Sequence, residues 1–108
     1  MISIETLGDE LYTALRDRQV VDPLSNRFPD ISIEQAYRIQ ERMLQRRLQD
    51  GERIVGKKIG VTSAAVMNML GVHQPDFGYL TDAMIVNQGE AIDISTLIQP
   101  KAEGEIAF

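Results

Sequence analysis

The sequence predicts an α+β fold, in which an N-terminal helical region is followed by mixed β strands. Over residues 1–52, apolar residues recur every three or four positions, which is the spacing of one face of an amphipathic helix. Over residues 53–108, β-branched residues and glycines occur in short runs, which is typical of strands. The sequence contains no internal repeat, low-complexity tract or linker. We therefore expect residues 1–108 to lie in a single domain.

Two helices are expected in the first region. Apolar side chains predict the first helix over residues 3–18. They recur at Ile4, Leu7, Leu11 and Leu15. Ser32 and the three residues after it form a capping box that begins the second helix, and Gly51 ends it because glycine tolerates the left-handed conformation of a helix C-terminus. Residues 20–30 contain two prolines and are expected to form an irregular connection.

The second region is predicted to begin with a strand over residues 53–61. Thr62 or Ser63 then caps a short helix over residues 64–70, which Gly71 closes. Residues 72–78 are expected to form a loop. Further short β segments are expected at 79–80, 84–86, 91–94 and from 101 onward.

Charge and composition exclude several classes of function. Lys and Arg total 11 against 16 Asp and Glu, so nucleic acid is a poor partner. The chain has no cysteine and one histidine, which excludes a thiolate zinc site and leaves oxygen-bound magnesium, manganese or calcium as the metals to consider. The first residues do not resemble a signal peptide, and no apolar stretch approaches the length of a membrane span. We expect a cytoplasmic protein without membrane association.

Glu103 and Glu105 are the candidate metal ligands. If residues from 101 onward form an extended strand, these two side chains share one face, about 6.5 Å apart along the chain. Two such carboxylates can reach one hard cation. Gly104 lies on the opposite face, where it would let another backbone approach. The alternative is an edge strand with a solvated acidic face.

Lys57 and Lys58 lie between glycines in the predicted strand. A lysine inside a buried strand carries a costly charge unless it meets a carboxylate or an anionic substrate. Lys58 lies on the same face as Gly56 and Gly60, which leave room around it for a ligand. The alternative is that both lysines reach solvent from an edge strand.

A second candidate site is the segment over residues 73–79. It combines the imidazole of His73, the carboxylate of Asp76 and the phenol of Tyr79. Pro75 restricts its backbone, and binding residues are frequent in such loops. The alternative is a surface turn in which Phe77 and Tyr79 contact the core.

Three runs of sequence carry a resemblance to a known family. They are GKKIGVTS at 56–63, LGVHQPDFGYL at 70–80 and QPKAEGEIAF at 99–108. They resemble the 2-hydroxypenta-2,4-dienoate hydratases, which group with the 4-oxalocrotonate decarboxylases in the fumarylacetoacetate hydrolase superfamily. The resemblance covers nearly the whole chain. It implies a distorted β sandwich or roll, with residues 53–108 as the start of the catalytic β region, and a role in meta-cleavage degradation of aromatic compounds.

The resemblance also assigns roles to individual residues. Glu103 and Glu105 match two of the family's three acidic ligands to a divalent cation, magnesium or manganese. The third ligand lies further along the family's sequence, so the chain resembles the N-terminal part of a longer enzyme with an incomplete site. Lys58 matches the active-site lysine, and Asp76 lies in a loop that lines the same cleft. His73 and Tyr79 are implied only as neighbours of the cleft.

The reaction implied is hydration of a small 2-hydroxydienoate substrate to 4-hydroxy-2-oxopentanoate. Lys58 would anchor the substrate carboxylate or shuttle protons, and burial would lower its pKa. The same motifs allow a 4-oxalocrotonate decarboxylase. A C–C hydrolase with His73 as its base is a further alternative. The family further implies a homo-oligomer that associates with the decarboxylase.

A non-enzymatic alternative is a docking or assembly segment. It rests on a basic strip along the second helix, which Arg42, Arg46 and Arg47 would present to a partner. This function would not need a complete metal site.

Overall fold

The computed structural model describes residues 2–108 and has the predicted α+β fold, with helices and a small antiparallel sheet. The chain divides into two compact units. The helical unit consists of two segments of the chain, the N-terminal segment up to Gly51 and the later segment Gly89–Pro100. The strand unit consists of Glu52–Gln88 and Lys101–Phe108. No helix within the described residues is both long enough and apolar enough to cross a bilayer.

The helical unit contains three α-helices. They are α1 (Ile4–Asp17), α2 (Leu24–Arg27) and α3 (Ile33–Gln49). The bounds of α1 and α3 agree with those of the two helices predicted from the sequence. The Ser32 hydroxyl accepts a hydrogen bond from the Gln35 N–H, and the Gln35 side chain accepts one from the Ser32 N–H, which completes the predicted capping box. The short helix α2 was not predicted, because its four residues carry no apolar periodicity.

Contacts between α1 and α3 stabilise the helical unit. Leu7 and Ile39 are its buried apolar side chains, with 4% and 1% of their surfaces exposed. Beside them, the Asp9 carboxylate accepts hydrogen bonds from Arg42 at 2.8 and 3.2 Å and contacts Arg46 at 3.0 Å. Arg47 is largely buried. The predicted basic strip is therefore wrong, because two of its arginines are paired with Asp9 and the third is not exposed.

The strand unit contains a three-stranded antiparallel sheet and one helix. Its elements are β1 (Ile54–Gly60), α4 (Ala64–Leu70), β2 (Asp76–Thr81) and β3 (Ile106–Ala107). The strand order is β2-β1-β3, so β1 lies in the centre. Ser63 caps α4 by accepting a hydrogen bond from the Val66 N–H, and Gly71 ends it in the left-handed conformation. Ser63, rather than Thr62, is thus the cap.

The segments around β2 differ from the prediction. Residues 76–78 belong to β2 rather than to a loop, because they pair with β1. The predicted strands at 84–86 and 91–94 are absent from the structure of residues 2–108, which has 3₁₀ turns at Asp82–Met84 and Ile94–Thr96. Hydrogen bonds to aspartate side chains accompany both turns, a long-range one at Asp82 and a local one at Asp93. The Asp82 carboxylate accepts from the Arg53 N–H at 3.0 Å, and the Asp93 carboxylate accepts from the Ser95 N–H at 3.0 Å.

Candidate active site

One face of the sheet brings together three of the predicted site residues. The register places Gly60 opposite Asp76, so the Asp76 side chain lies on the same face as that of Lys58. On that face the Lys58 ammonium contacts the Glu105 carboxylate, with 2.9 Å between Nζ and Oε2. We call Lys58, Asp76 and Glu105 the Lys58 cluster. Its members come from β1, β2 and the segment before β3.

The two carboxylates of the Lys58 cluster meet over Gly60. A Cβ atom at this position would stand 2.8 Å from Asp76 Oδ1 and 3.4 Å from Glu105 Oε1. These oxygens therefore occupy the space that a side chain would fill. Gly60 thus leaves room for these two carboxylates, and the predicted room for a ligand beside Lys58 stays a prediction.

The Lys58 ammonium is held in its charged form. The hydrogen bond to Glu105 raises the pKa of Lys58, partial burial opposes this effect, and the charges of Asp76 and Glu103 raise the pKa further. The predicted lowering of this pKa is wrong, because the neighbouring carboxylates outweigh the desolvation of a side chain that keeps 36% of its surface exposed. Lys58 is thus suited to hold an anion rather than to release a proton near neutral pH.

An open groove of about 680 Å³ lies beside the Lys58 cluster. The end of β1, the start of α4 and the last residues of the chain line it, and Glu103 and Glu105 are among the lining residues. Thr62 and Ser63 add hydroxyl groups to the wall. Sequence reasoning treated these two residues only as candidates for the helix cap and missed their place in the groove.

Val61 marks the point where the chain leaves the sheet. Its φ is 56°, a left-handed conformation that is unfavourable for a β-branched residue. Such strain concentrates at functional sites. The sharp turn places Thr62 at the groove rather than in a continuation of β1. A valine gives no sequence signal of a positive φ, which explains why the turn was not predicted.

The geometry predicted for Glu103 and Glu105 is wrong in one respect. Both residues precede β3, which contains only Ile106 and Ala107, so they do not lie on a regular strand. A Cβ atom at Gly104 would meet nothing within 4 Å, so no backbone approaches there. The close approach occurs at Gly56 instead, where a Cβ would stand 2.5 Å from the Phe108 carbonyl oxygen.

The donor atoms in this region fit a hard divalent cation, because they are carboxylate oxygens. Glu105 contacts Lys58 through Oε2, while Oε1 points toward the space over Gly60. In the part of the chain that the structure describes, no three or more His, Asp or Glu side chains lie together as a metal site would require. The assignment of Glu103 and Glu105 as ligands stays a prediction.

His73 and Tyr79 lie outside the Lys58 cluster. Tyr79 is opposite Lys57 in the register, on the other face of the sheet, and its ring centroid is 5.7 Å from Lys57 Nζ. The Phe77 ring packs edge-on against it at 6.3 Å. His73 is exposed in the segment before β2. The alternative of a surface turn does not hold for residues 76–79, which belong to β2, and Tyr79 contacts Lys57 and Phe77 on the face away from Lys58.

Comparison with known proteins gives close relatives in sequence. A 2-hydroxypent-2,4-dienoate hydratase of Pseudomonas putida is 69% identical over 106 residues, which are 97% of this chain and 48% of that protein. A 2-hydroxyhexa-2,4-dienoate hydratase of Comamonas testosteroni is 53% identical over 107 residues, 97% of this chain and 40% of that protein. The chain thus spans about half the length of these relatives or less. No protein-family model matches the sequence.

Solved structures give a similar result for the fold. A 4-oxalocrotonate decarboxylase from Pseudomonas putida G7, complexed with magnesium and adipate, superposes with a TM-score of 0.85 at 31% identity. The superposition covers 91% of this chain and 38% of that one. The decarboxylase complexed with calcium and acetate gives the same score and identity. These findings confirm the resemblance that the three sequence runs predicted.

Proposed function

Because this chain resembles the 2-hydroxypenta-2,4-dienoate hydratases over nearly its whole length, we propose that it forms part of such a hydro-lyase. The reaction is the addition of water to 2-hydroxypenta-2,4-dienoate to give 4-hydroxy-2-oxopentanoate, in meta-cleavage degradation of aromatic compounds. The Lys58 cluster carries this proposal. It combines a cation for a substrate carboxylate with acidic groups for a metal and for proton transfer, all beside an open groove.

In this proposal Lys58 binds the substrate carboxylate. Its raised pKa keeps the ammonium charged, so it attracts an anion electrostatically and fixes one end of the substrate. Asp76 is the acid–base candidate, because its carboxylate lies over Gly60 beside Glu105 rather than in a fixed pair with an arginine. A carboxylate in this position can accept or return a proton at the substrate.

Glu103 and Glu105 are the proposed ligands of magnesium or manganese. When bound, the cation would supply stabilisation for negative charge that develops on the substrate oxygens. Glu105 can serve two partners, since Oε2 faces Lys58 while Oε1 is directed toward Gly60. The similar decarboxylase has been solved with magnesium and with calcium, which supports a divalent cation without selecting manganese.

A 4-oxalocrotonate decarboxylase is the second candidate function, because the solved structure of one such enzyme superposes closely on this chain. The Lys58 cluster suits either enzyme, since both substrates are anionic 2-oxo or 2-hydroxy acids. We also propose, from the resemblance alone, a cytoplasmic homo-oligomer that associates with a decarboxylase.

The test uses a chimera of the Pseudomonas putida relative in which this chain replaces the 106 matching residues. Ultraviolet loss of freshly prepared 2-hydroxypenta-2,4-dienoate is followed with and without magnesium or manganese. We expect metal-dependent hydration, a loss of about 100-fold in Lys58→Met, and little change in the matched variant Lys57→Met, whose side chain contacts Tyr79 on the other face.

Equal losses in the two lysine variants, or no hydration by the chimera, would contradict the hydratase proposal. Carbon dioxide release from 4-oxalocrotonate without hydration of the dienoate would instead favour the decarboxylase. The same assay of the isolated chain shows how much hydration activity it has without the rest of the relative.

A further inference from the structure

Gly60 has an unusual position within the sheet. It lies at the end of β1, directly opposite Asp76, and the next residue leaves the strand with a φ of 56°. The two oxygens nearest to its absent side chain both belong to carboxylates, Asp76 and Glu105. We propose that Gly60 is a positioning residue, whose missing side chain lets these two carboxylates converge on the face that carries Lys58. This inference rests on the proposed function for its consequence in catalysis.

The backbone does not require glycine at this position. The glycines with positive φ are Gly51, Gly71 and Gly89, and Gly60 is not among them. An alanine can therefore adopt the backbone conformation of Gly60 without strain. What it cannot do is keep its Cβ 2.8 Å from Asp76 Oδ1, since real Cβ atoms do not approach other atoms so closely.

Comparison with Gly56 separates a structural glycine from a positioning one. At Gly56 the obstructing atom is the Phe108 carbonyl oxygen, and Phe108 exchanges two backbone hydrogen bonds of 2.7 Å with Lys57. A Cβ there would displace the backbone and disrupt this pairing. At Gly60 the obstructing atom is the tip of a side chain, which can rotate away while the strand pairing remains.

The expected consequence of Gly60→Ala is a displaced Asp76 carboxylate in a protein that still folds. Asp76 would lose its position beside Glu105, so the cluster would bind a cation less well. The negative charge of Asp76 would attract a cation held by Glu105, and changes to groups just outside the metal ligands reduce metal affinity by about 10- to 100-fold. We expect a loss of about tenfold in the affinity for Mn²⁺.

The experiment uses the chain itself and begins without metal or substrate. Nuclear magnetic resonance of the wild type, Gly60→Ala and Gly104→Ala gives the χ1 rotamer of Asp76 from three-bond couplings. Thermal unfolding of the same three proteins gives their melting temperatures. Gly104→Ala is the matched control, because open space surrounds that position. We expect Gly60→Ala alone to change the Asp76 rotamer, with melting temperatures close to wild type. An unchanged Asp76 rotamer in Gly60→Ala would overturn the inference.

A second arm measures Mn²⁺ affinity by electron paramagnetic resonance in Gly60→Ala, Asp76→Ala and the double variant. If Gly60 acts through Asp76, the double variant binds no more weakly than Asp76→Ala alone. Additive losses would overturn the inference. Should Gly60→Ala fail to fold, recovery of folding in the double variant would support the collision with Asp76, and continued failure would overturn it.

The two arms also separate this inference from the proposed function. Absence of Mn²⁺ binding by the wild-type chain and by the chimera would count against the proposed metal site. The rotamer measurement would still decide whether Gly60 positions Asp76.

Discussion

The helical unit and the strand unit both contain ion pairs, but the pairs have different surroundings. In the helical unit, arginines bind carboxylates through paired hydrogen bonds between elements, as Arg27 does with Glu10 at 2.6 and 3.1 Å. In the strand unit, Lys58 contacts Glu105 through one short distance, and a second carboxylate lies nearby over a glycine. An arginine pair of the first kind fixes two helices. The second kind leaves oxygen atoms available to a ligand.

The two units also differ in how deeply their apolar side chains are buried. Leu7 and Ile39 are almost fully buried in the helical unit. In the strand unit, Ile59, Phe77 and Ile106 share the sheet face opposite Lys58 and remain 38%, 45% and 70% exposed. Thr81 in β2 is the fully buried side chain of the strand unit. We therefore propose that the helical unit contributes mainly stability and that the strand unit carries the candidate site.

Glu105→Gln should have the largest effect on activity. The variant removes the charge that Lys58 contacts and one proposed cation ligand, so we expect hydration by the chimera to fall about 100-fold or more. Its melting temperature should change little, because the lost ion pair is partly exposed. The control is Glu34→Gln, an acidic residue in the first turn of α3. A similar loss of activity in both variants would contradict the assignment.

Ile39→Ala should have the largest effect on stability. This side chain is 1% exposed, and deleting buried methyl groups destabilises a protein by about 2–5 kcal/mol. Urea unfolding measures the change, with Ile33→Ala as the control because Ile33 is 60% exposed. If the division is correct, folded Ile39→Ala chimera retains its hydration rate, and a selective loss of activity in molecules that remain folded would contradict it.

Acid should weaken the helical unit. The Arg42 guanidinium lowers the pKa of Asp9, the Arg27 guanidinium lowers that of Glu10, and the Tyr12 hydroxyl with Arg16 lowers that of Asp50. A lowered pKa in the folded state gives stability that is present above the unfolded value, about 4, and is lost as the pH falls through the folded pKa.

We therefore expect the helical circular dichroism signal to lose thermal stability as the pH falls below about 4. Asp9→Asn should make the dependence shallower, because it removes one of the titrating groups. Equal pH dependence in the variant and the wild type would show that the arginine pairs with Asp9 do not contribute.

Ser32→Ala should have the smallest of these effects. It removes the hydroxyl that accepts from the Gln35 N–H, and loss of such a cap costs about 1 kcal/mol. Urea unfolding of the chain measures it. Ser95→Ala is a useful comparison, since Ser95 lies in a 3₁₀ turn rather than at the start of a long helix. The larger effect should be at Ser32.

Much of the helical unit was predictable because its signals are local. The apolar spacing and the capping box at Ser32 lie within the helices that they define. Short apolar runs at 84–86 in the strand unit and at 91–94 in the helical unit resembled strands, but within residues 2–108 neither run pairs with a neighbouring strand, and Asp82 and Asp93 accept hydrogen bonds in the turns that form instead. Only a strand that pairs with a neighbour persists, and pairing partners are not visible in one sequence.

The candidate site was predictable in its members but not in its arrangement. Lys58, Asp76 and Glu105 were identified from residue type and from the family resemblance. Their convergence depends on the register of three strands, and the raised pKa of Lys58 depends on that convergence. The turn at Val61 had no sequence signal, because it places a β-branched residue in an unfavourable conformation.

The most direct test of the division is a titration of the ¹⁵N-labelled chain with Mn²⁺, followed by paramagnetic broadening of the amide signals. The account predicts the strongest broadening at Gly60, Asp76 and Glu103–Glu105, and weaker broadening in the Glu105→Gln variant. Broadening that is strongest at the carboxylates of the helical unit, such as Asp9 and Glu10, would contradict it.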